Sequence, residues 1–286
     1  MRTIAHLSDL HFGRVDAALL DPLTGFLHAA RPDVLVVSGD LTQRAKSKEF
    51  IAARAFLDAF DMPKIVVPGN HDVPLYHVFR RFFSPLGRYH EHITTDMEPF
   101  YVDDEIAVLG INSARSLTFK GGRVNREQLE RVRARLDPLH DRLVKVLVTH
   151  HPFDLPAHMD KDDLVGRARK AMKEFANSGV DVLLGGHMHT SEAITTDARY
   201  QHGAYSALSI QAGTATSTRQ RGEVNSFNML RVACDRVEVD EIGWAAEEGI
   251  FRKTGMQAFT GTKDGWVPAG SRDAPPAQPP VQSPVQ

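Results

Sequence analysis

Short, continuous apolar runs recur along the first two thirds of the chain and constrain its fold more than any other feature. Runs of this kind, which do not alternate with polar residues, are typical of strands buried on both faces of a sheet. We therefore predict a buried strand at each run. In chain order the runs are TIAHL from residue 3, VLVV from 34, KIVV from 64, IAVLGI from 106, VKVLV from 144 and VLL from 182.

Helical patterns lie between several of these runs. Apolar residues recur at three- and four-residue steps, which predicts amphipathic helices at 16–30, 47–60, 125–137 and 161–178. Strands that alternate with helices favour a largely parallel sheet with helices on its faces.

The sequence pattern past residue 190 is different. Strand-like stretches follow one another there, with turns but no helix between them. They predict a second, mostly antiparallel sheet packed against the first, and hence an α/β fold with two sheets. The stretches are AITT, YSALSIQAG, NSFNMLRVA and RVEVDEIGW.

The C-terminal segment is different again. Order should fade from about Thr262, and the final letters APPAQPPVQSPVQ cannot form a core. We predict one folded domain at 1–261 and a flexible, Pro-rich tail at 262–286.

Charge and cysteine content limit the function classes. The 34 Lys and Arg against 36 Asp and Glu give a formal net charge of −2, which disfavours a nucleic-acid partner but leaves room for a local basic patch. Cys234 is the only cysteine, so the chain has no intramolecular disulfide and no thiolate metal cluster. The N-terminus turns polar too soon for a signal peptide, and no apolar run is long enough to span a membrane. We expect a cytoplasmic protein without a membrane partner.

Asp, Asn and His residues follow five of the predicted strands. Ligands of open α/β sheets bind outside the carboxyl ends of the strands, so these side chains should meet at one edge. Two residues that lie two positions apart on an extended segment point the same way, so Asp9 with His11, and His187 with His189, can each converge. The pair at 187 and 189 fits a Gly-Gly turn or a metal site, because imidazole is the commonest neutral metal ligand.

The motifs DLH, GD, GNHD, THHP and GHMH, in this order, resemble the calcineurin-like metallophosphoesterase superfamily over residues 3 to 232. The resemblance implies a two-sheet β-sandwich flanked by helices and two divalent metal ions per chain. It assigns one ion to Asp9, His11, Asp40 and His189. It assigns the other ion to Asp40, Asn70, His150 and His187. Asp40 would thus bridge the ions, while His151 would pack beside the ligands.

The resemblance also implies an activity, that of a metal-dependent phosphoric diester hydrolase in which a hydroxide bridging the ions attacks the phosphate. His71 would protonate the leaving oxygen or stabilise charge, oriented by a carboxylate such as Asp72. Ligands of nitrogen and oxygen without thiolate fit Mn, Fe or Co, with Zn as an alternative.

Longer motifs narrow the resemblance to the branch of bacterial cyclic-nucleotide phosphodiesterases and glycerophosphodiesterases. They are SDLHF, SGDLTQRA, PGNHD and QAGTATS. The chain departs from that branch at residues 111–113, which read INS where many relatives read LDS. We expect a small phosphodiester substrate, with a cyclic nucleotide as one option. The alternatives are a metal-dependent nuclease and a non-catalytic scaffold with this fold, and relatives often pair through the C-terminal region, so a homo-oligomer is a further expectation.

Three irregular segments, 73–100, 113–124 and 214–222, are expected to cover the site. Their aromatic and arginine side chains suit an organic group beside a phosphate, although the aromatics can equally anchor the loops to the core. The side chains are Tyr76, Phe79, Phe82, Phe119, Arg80, Arg81, Arg115 and Arg219. Arg221 is a further candidate for a phosphate contact, with a solvated loop charge as the simpler alternative.

Overall fold

Two sheets packed face to face form the centre of the molecule. The computed structural model describes residues 1–75, 77–116, 121–200, 205–218 and 224–270. Strands in this part of the chain are β1 (Arg2–Leu7), β2 (Val34–Val37), β3 (Lys64–Val66), β4 (Phe100–Val102), β5 (Ile106–Gly110), β6 (Val144–Val148), β7 (Val182–Gly185), β8 (Glu192–Thr195), β9 (Leu208–Gln211), β10 (Ser226–Ala233), β11 (Arg236–Ala245), β12 (Ile250–Thr262) and β13 (Gly265–Pro268).

Helices flank the two sheets. They are α1 (Ala17–Ala30), α2 (Ser47–Asp58), α3 (Val78–Phe83), α4 (Gly87–His92), α5 (Arg126–Leu136) and α6 (Ala168–Asn177), with 3-10 turns at Asn70–Asp72, Lys161–Asp163 and Thr196–Ala198. No helix of the described segments has the length and apolar character needed to cross a membrane. The two-sheet sandwich flanked by helices, predicted from the sequence, is confirmed.

The strands predicted from the apolar runs are confirmed, and the reason for their continuous apolar character is visible in β1 and β2. Ile4 and Val34 face the core between the two sheets. Ala5 and Leu35 face the opposite way, onto the core that α1 and α2 cover. Because each strand is buried on both faces, it has no face on which polar residues would alternate.

The division of strands between the sheets differs from the prediction. The first sheet has the order β13-β12-β11-β10-β1-β2-β3 and the second the order β4-β5-β6-β7-β9-β8. β10 pairs antiparallel with β1, and β9 pairs parallel with β7, so the strands past residue 190 extend both sheets. The early parallel strands leave an unpaired edge in each sheet, and the later strands satisfy the backbone groups along it.

The helices at 16–30, 47–60 and 125–137 form within two residues of their predicted bounds, whereas the helix predicted at 161–178 begins only at Ala168. Asp160 caps a separate 3-10 turn by accepting a hydrogen bond from the Asp162 N–H. Arg167 then adopts a left-handed conformation with φ 72°, which a continuous α-helix cannot include.

The folded part extends beyond residue 261, the predicted end of the domain. β13 pairs with β12, and Trp266 on β13 is only 3% exposed, with its indole N–H donating to Asp181 Oδ1 at 3.1 Å. A buried aromatic side chain with its polar group paired makes β13 a structural strand. Residues 271–286 lie outside the described residues, and the flexible tail stays a prediction for them.

We predict that Trp266→Ala lowers the free energy of unfolding by about 3–5 kcal/mol, because it removes a buried aromatic side chain and leaves a cavity. Deletion of residues 271–286 should leave the unfolding midpoint in urea unchanged, since Pro, Gln and Ser there bury little apolar surface. Urea denaturation of both variants checks this. A large loss on deleting 271–286 would show that the tail is part of the fold.

Candidate metal centre

The loops that follow β1 and β2 run side by side and place the first predicted ligands together. Asp9 N–H donates to the Gly39 carbonyl at 3.1 Å, and His11 N–H donates to the Asp40 carbonyl at 2.9 Å. These bonds continue the parallel pairing of the two strands past their carboxyl ends. Asp9 and His11 therefore lie beside Asp40 because of backbone hydrogen bonding.

A first cluster gathers Asp9, His11 and His189. Asp9 Oδ1 lies 3.2 Å from His189 Nε2 and 3.5 Å from His11 Nε2, and the two imidazole nitrogens are 3.5 Å apart. Three ligand atoms from the ends of two strands, β1 and β7, thus face one point. His11 and Asp9 are fully buried, and His189 is nearly so.

A second cluster gathers Asn70, His150 and His187. Asn70 Oδ1 lies 3.0 Å from His150 Nε2 and 3.1 Å from His187 Nδ1, and these two nitrogens are 3.3 Å apart. Ser38 fixes one of the rings, because its carbonyl oxygen accepts a hydrogen bond from His150 Nδ1 at 2.8 Å. That bond leaves the Nε2 lone pair directed into the cluster.

Asp40 lies between the two clusters. Its Oδ2 is 3.9 Å from His11 Nε2 on one side and 3.5 Å from His150 Nε2 on the other. Its other oxygen, Oδ1, accepts the backbone N–H of His71 at 2.8 Å. One carboxylate oxygen therefore faces both clusters, which is the arrangement of a bridging ligand.

The donor set fits divalent cations. Asp9 and Asp40 are buried, and a buried charged carboxylate is costly unless a cation compensates its charge. Burial alone would raise the pKa of Asp9 and Asp40. The imidazoles around them outweigh that effect and hold both pKa values below the usual range, so both carboxylates stay charged. The His and Asp side chains can therefore hold metal.

Backbone strain is concentrated at the predicted ligands. Most residues other than glycine avoid positive φ, and each exception costs of order 1–3 kcal/mol. Within the described segments, five of the eight such residues are predicted ligands. They are Asp9 (φ 52°), His11 (49°), Asp40 (51°), His187 (72°) and His189 (62°). The fold holds these side chains in place against local preference.

Gly186 explains why glycines precede the paired histidines. A Cβ on Gly186 would lie 1.8 Å from Ser8 Oγ and 2.8 Å from Asp9 Oδ2. Asp9 Oδ2 also accepts the His187 N–H at 3.0 Å, so the two loops are bonded directly to each other. Only glycine allows the backbone of the β7 loop to approach the β1 loop this closely.

Gln43 contacts the ring of His71 at Nδ1. His71 Nδ1 faces the backbone carbonyl oxygen of Gln43 at 3.0 Å and the side-chain amide nitrogen of the same residue at 3.4 Å. A carbonyl can only accept, so the hydrogen bond requires the proton on Nδ1 and presents Nε2 to the site. The rings of His71 and His11 meet edge to face with centroids 5.0 Å apart. Gln43 was not singled out in the sequence because a backbone carbonyl can be supplied by any residue type.

The Asp72 carboxylate joins the two loops that follow β2 and β3. Its carboxylate accepts hydrogen bonds from the backbone N–H groups of Leu41 (3.1 Å), Thr42 (2.9 Å) and Gly69 (2.9 Å), and from the Thr42 hydroxyl (2.9 Å). Burial and the neighbouring Asp40 raise the pKa of Asp72 to about 6. Asp72 is therefore a positioning residue that fixes the segments carrying Asp40 and Asn70.

His151 is fully buried beside the second cluster. Its Nδ1 lies 2.8 Å from Ser113 Oγ, and its backbone N–H donates to the same hydroxyl. A ring nitrogen of His151 also lies within 4.8 Å of ligand atoms of His150 and His187. The contacts with Ser113 agree with the packing role predicted for His151 and fix the ring next to the ligands.

The segments expected to cover the site are described only in part. Phe79 and Phe82 are 67% and 53% exposed, so they do not anchor their segment to the core. Arg115 donates to the Arg123 carbonyl oxygen at 2.9 Å and to the Gln128 side chain, so its guanidinium group is bonded to neighbouring parts of the chain. Tyr76, Phe119, Arg219 and Arg221 lie outside the described residues.

Comparisons with known proteins identify the relatives of this chain. The family model of the calcineurin-like phosphoesterases matches residues 2–191. A probable glycerophosphodiester phosphodiesterase, GpdQ, of Arcobacter nitrofigilis is 28% identical over 163 residues, which cover 56% of this chain and 57% of that protein. The chain thus spans little more than half the length of that relative.

Two further comparisons concern sequence and fold. A probable cyclic nucleotide phosphodiesterase of Synechococcus is 27% identical over 202 residues, which cover 65% of this chain and 73% of that protein. A dimetal phosphatase from Danio rerio is 16% identical, with a TM-score of 0.62 over 88% of this chain and 98% of that chain. At this identity the structural likeness concerns the fold alone.

We predict that Asp72→Ala lowers the free energy of unfolding by at least ~3 kcal/mol, because each buried N–H group left without an acceptor costs about 1–3 kcal/mol. The matched control is Asp58→Ala, which removes an exposed ion pair with Arg54 within α2 and should cost about 0.5 kcal/mol. Urea denaturation measures both losses. Equal small losses would show that Asp72 does not hold the loops together.

Proposed function

The chain belongs to the calcineurin-like phosphoesterase family, and on that premise we propose that it hydrolyses small phosphodiesters with two divalent metal ions. The observation that carries the proposal is the position of Asp40 Oδ2, which faces both clusters of ligand atoms at 3.9 and 3.5 Å. One carboxylate shared between two adjacent clusters is what a pair of neighbouring ions requires.

Each cluster would hold one ion. Asp9, His11 and His189 would hold the first, Asn70, His150 and His187 the second, and Asp40 both. When bound, two ions supply positive charge to the phosphate oxygens and lower the pKa of water. Nitrogen and oxygen ligands without thiolate suit Mn, Fe or Co, and also Zn.

His71 would move the proton that the leaving group needs. The Gln43 carbonyl holds Nδ1–H, so the second proton of the imidazolium form sits on Nε2, on the side that remains for substrate. The His71 backbone N–H donates to Asp40, which keeps the ring at a fixed distance from the shared carboxylate. A proton donor placed by two hydrogen bonds needs little reorganisation when the ester bond breaks.

A phosphodiester substrate is favoured by the relatives whose names include that activity. The formal net charge of −2 supports small substrates, because binding a long polyanion usually requires several Lys or Arg contacts. The charge of the metal site itself would favour a monoester dianion. A preference for diesters must therefore come from the residues around the site.

We predict that His71→Ala keeps both metal ions but loses on the order of 10²–10⁴ in kcat toward esters of alcohols of high pKa, as expected for a general acid. The loss should shrink for p-nitrophenolate, which leaves without protonation. His158→Ala, a change at an exposed histidine, is the control and should match the wild type. Metal analysis and kcat for both leaving groups provide the check. Equal losses for good and poor leaving groups would argue against proton donation.

The activity itself is tested with two chromogenic esters. We predict a higher kcat/KM for bis(p-nitrophenyl) phosphate than for p-nitrophenyl phosphate in one preparation of the Mn²⁺-loaded protein, and loss of both activities on chelation. A clear preference for the monoester would contradict the phosphodiesterase proposal without affecting the metal assignment. Absence of both activities, with metal bound, would favour a non-catalytic scaffold.

A further inference from the structure

A cavity of about 370 Å³ opens beside His71. Three cationic side chains line it, those of Arg14, Arg44 and Lys46, together with Gln43 and Glu49. The cavity therefore adjoins the proposed proton donor on one side and a group of positive charges on the other.

The loops that carry the metal ligands also place these charges. Arg14 N–H donates to the His11 carbonyl oxygen at 2.8 Å, and Gln43 N–H donates to the Phe12 carbonyl oxygen at 2.9 Å. The pairing that begins at Asp9 thus continues to Phe12 and Gln43, and a turn within the β1 loop bonds Arg14 to His11. Arg14 and the segment from Gln43 to Lys46 are fixed to the same backbone as the ligands.

Glu49 is the only carboxylate among the described residues that line the cavity, and it accepts hydrogen bonds from the backbone. Glu49 is 5% exposed, and its Oε2 accepts the N–H groups of Arg44 at 2.8 Å and Lys46 at 3.3 Å. Arg14 and Lys46 are exposed, and neither forms an ion pair with a carboxylate of the described residues. Among the described residues that line the cavity, three cationic side chains therefore stand against one carboxylate, which gives the cavity an excess of positive charge.

Gln43 links the wall of the cavity to His71. Its side chain is 7% exposed, its side-chain amide lies 3.4 Å from His71 Nδ1, and its backbone carbonyl oxygen accepts a hydrogen bond from the same nitrogen at 3.0 Å. The wall of the cavity and the proposed proton donor are therefore fixed relative to each other.

We propose that this cavity binds the leaving group, and that the preferred substrates are phosphodiesters whose leaving alcohol carries a second anionic group, a carboxylate or a phosphate. The inference rests on the proposed function, because it uses His71 as the donor to the leaving oxygen. The leaving group lies on the side of the phosphate that faces the donor, and the cavity borders the donor His71 itself.

The reaction itself is ordinary hydrolysis. Water forms the new P–O bond, the P–O bond to the leaving alcohol breaks, and the proton on His71 Nε2 moves to the alcohol oxygen. The proton that the water releases restores the protonated ring. Arg14 and Lys46 take no part in these bonds and act on the anionic group of the leaving alcohol.

A matched pair of substrates tests the proposal: methyl phenyl phosphate and methyl 3-carboxyphenyl phosphate. The two leaving phenols have similar acidity, and only one carries a second charge. We expect the Mn²⁺-loaded wild type to have a roughly tenfold higher kcat/KM for the carboxylated ester, the size of one charge-assisted contact. In the Arg14→Gln/Lys46→Gln double variant the ratio of the two values should fall to about one. Lys48→Gln, a change at an exposed lysine of α2 outside the cavity, should keep the wild-type ratio.

Calorimetry gives a readout that does not depend on turnover. 3-Hydroxybenzoate, the product alcohol, should bind the Mn²⁺-loaded wild type and the Lys48→Gln protein alike, and bind the double variant about tenfold more weakly. Equal affinity for all three proteins would mean that the metal ions, or another site, bind the carboxylate, and would overturn the inference.

The two proposals fail in different ways. If the wild type hydrolyses both esters with equal kcat/KM, or the double variant keeps the preference, the cavity does not bind an anionic leaving group, and the phosphodiesterase function stands. If the metal-loaded wild type hydrolyses neither ester, the proposed function fails and the inference fails with it.

Discussion

Two buried carboxylates at one edge of the sandwich set the main constraint on this structure. Asp9 and Asp40 are removed from water and remain charged, because imidazoles surround them and hold their pKa values down. Charges in such a place are stable only with compensating cations. Bringing the ligands to one edge has a local cost in conformational free energy. Five predicted ligands have positive φ values, and the backbone at Gly186 approaches the β1 loop closely.

The packing of the two sheets stabilises the strained backbone at the ligands. The apolar core between the sheets fixes the carboxyl ends of β1, β2, β6 and β7 relative to one another. Backbone hydrogen bonds then extend the pairing of β1 and β2 into the loops that follow them. The loops are thereby held in place by the sheet. Asp72 joins the loops of β2 and β3 in the same way, through a carboxylate that accepts three backbone N–H groups. The ligands are thereby positioned before any ion binds, which lowers the cost of binding one.

Features that depend on side-chain type could be predicted from the sequence, and those that depend on the backbone could not. The apolar runs identify the strands because burial on both faces admits only apolar residues, and the Asp, Asn and His residues after them do lie together. The role of Gln43 depends on its carbonyl oxygen, which every residue has. β9 pairs with β7 in one sheet, and β10 pairs with β1 in the other. This division depends on which sheet edges lack a partner, and strand propensity does not predict it. The left-handed conformation of Arg167, after which α6 begins, could not be predicted, because residue 167 is not a glycine.

The central claim is that Asp40 joins two metal sites, and anomalous diffraction from crystals of the Mn²⁺-loaded protein tests it most directly. The account predicts two anomalous peaks per chain, about 3.5–4 Å apart. One should lie among Asp9, His11 and His189, the other among Asn70, His150 and His187, with the Asp40 carboxylate contacting both. A single peak, or two peaks of which only one contacts Asp40, would contradict the account.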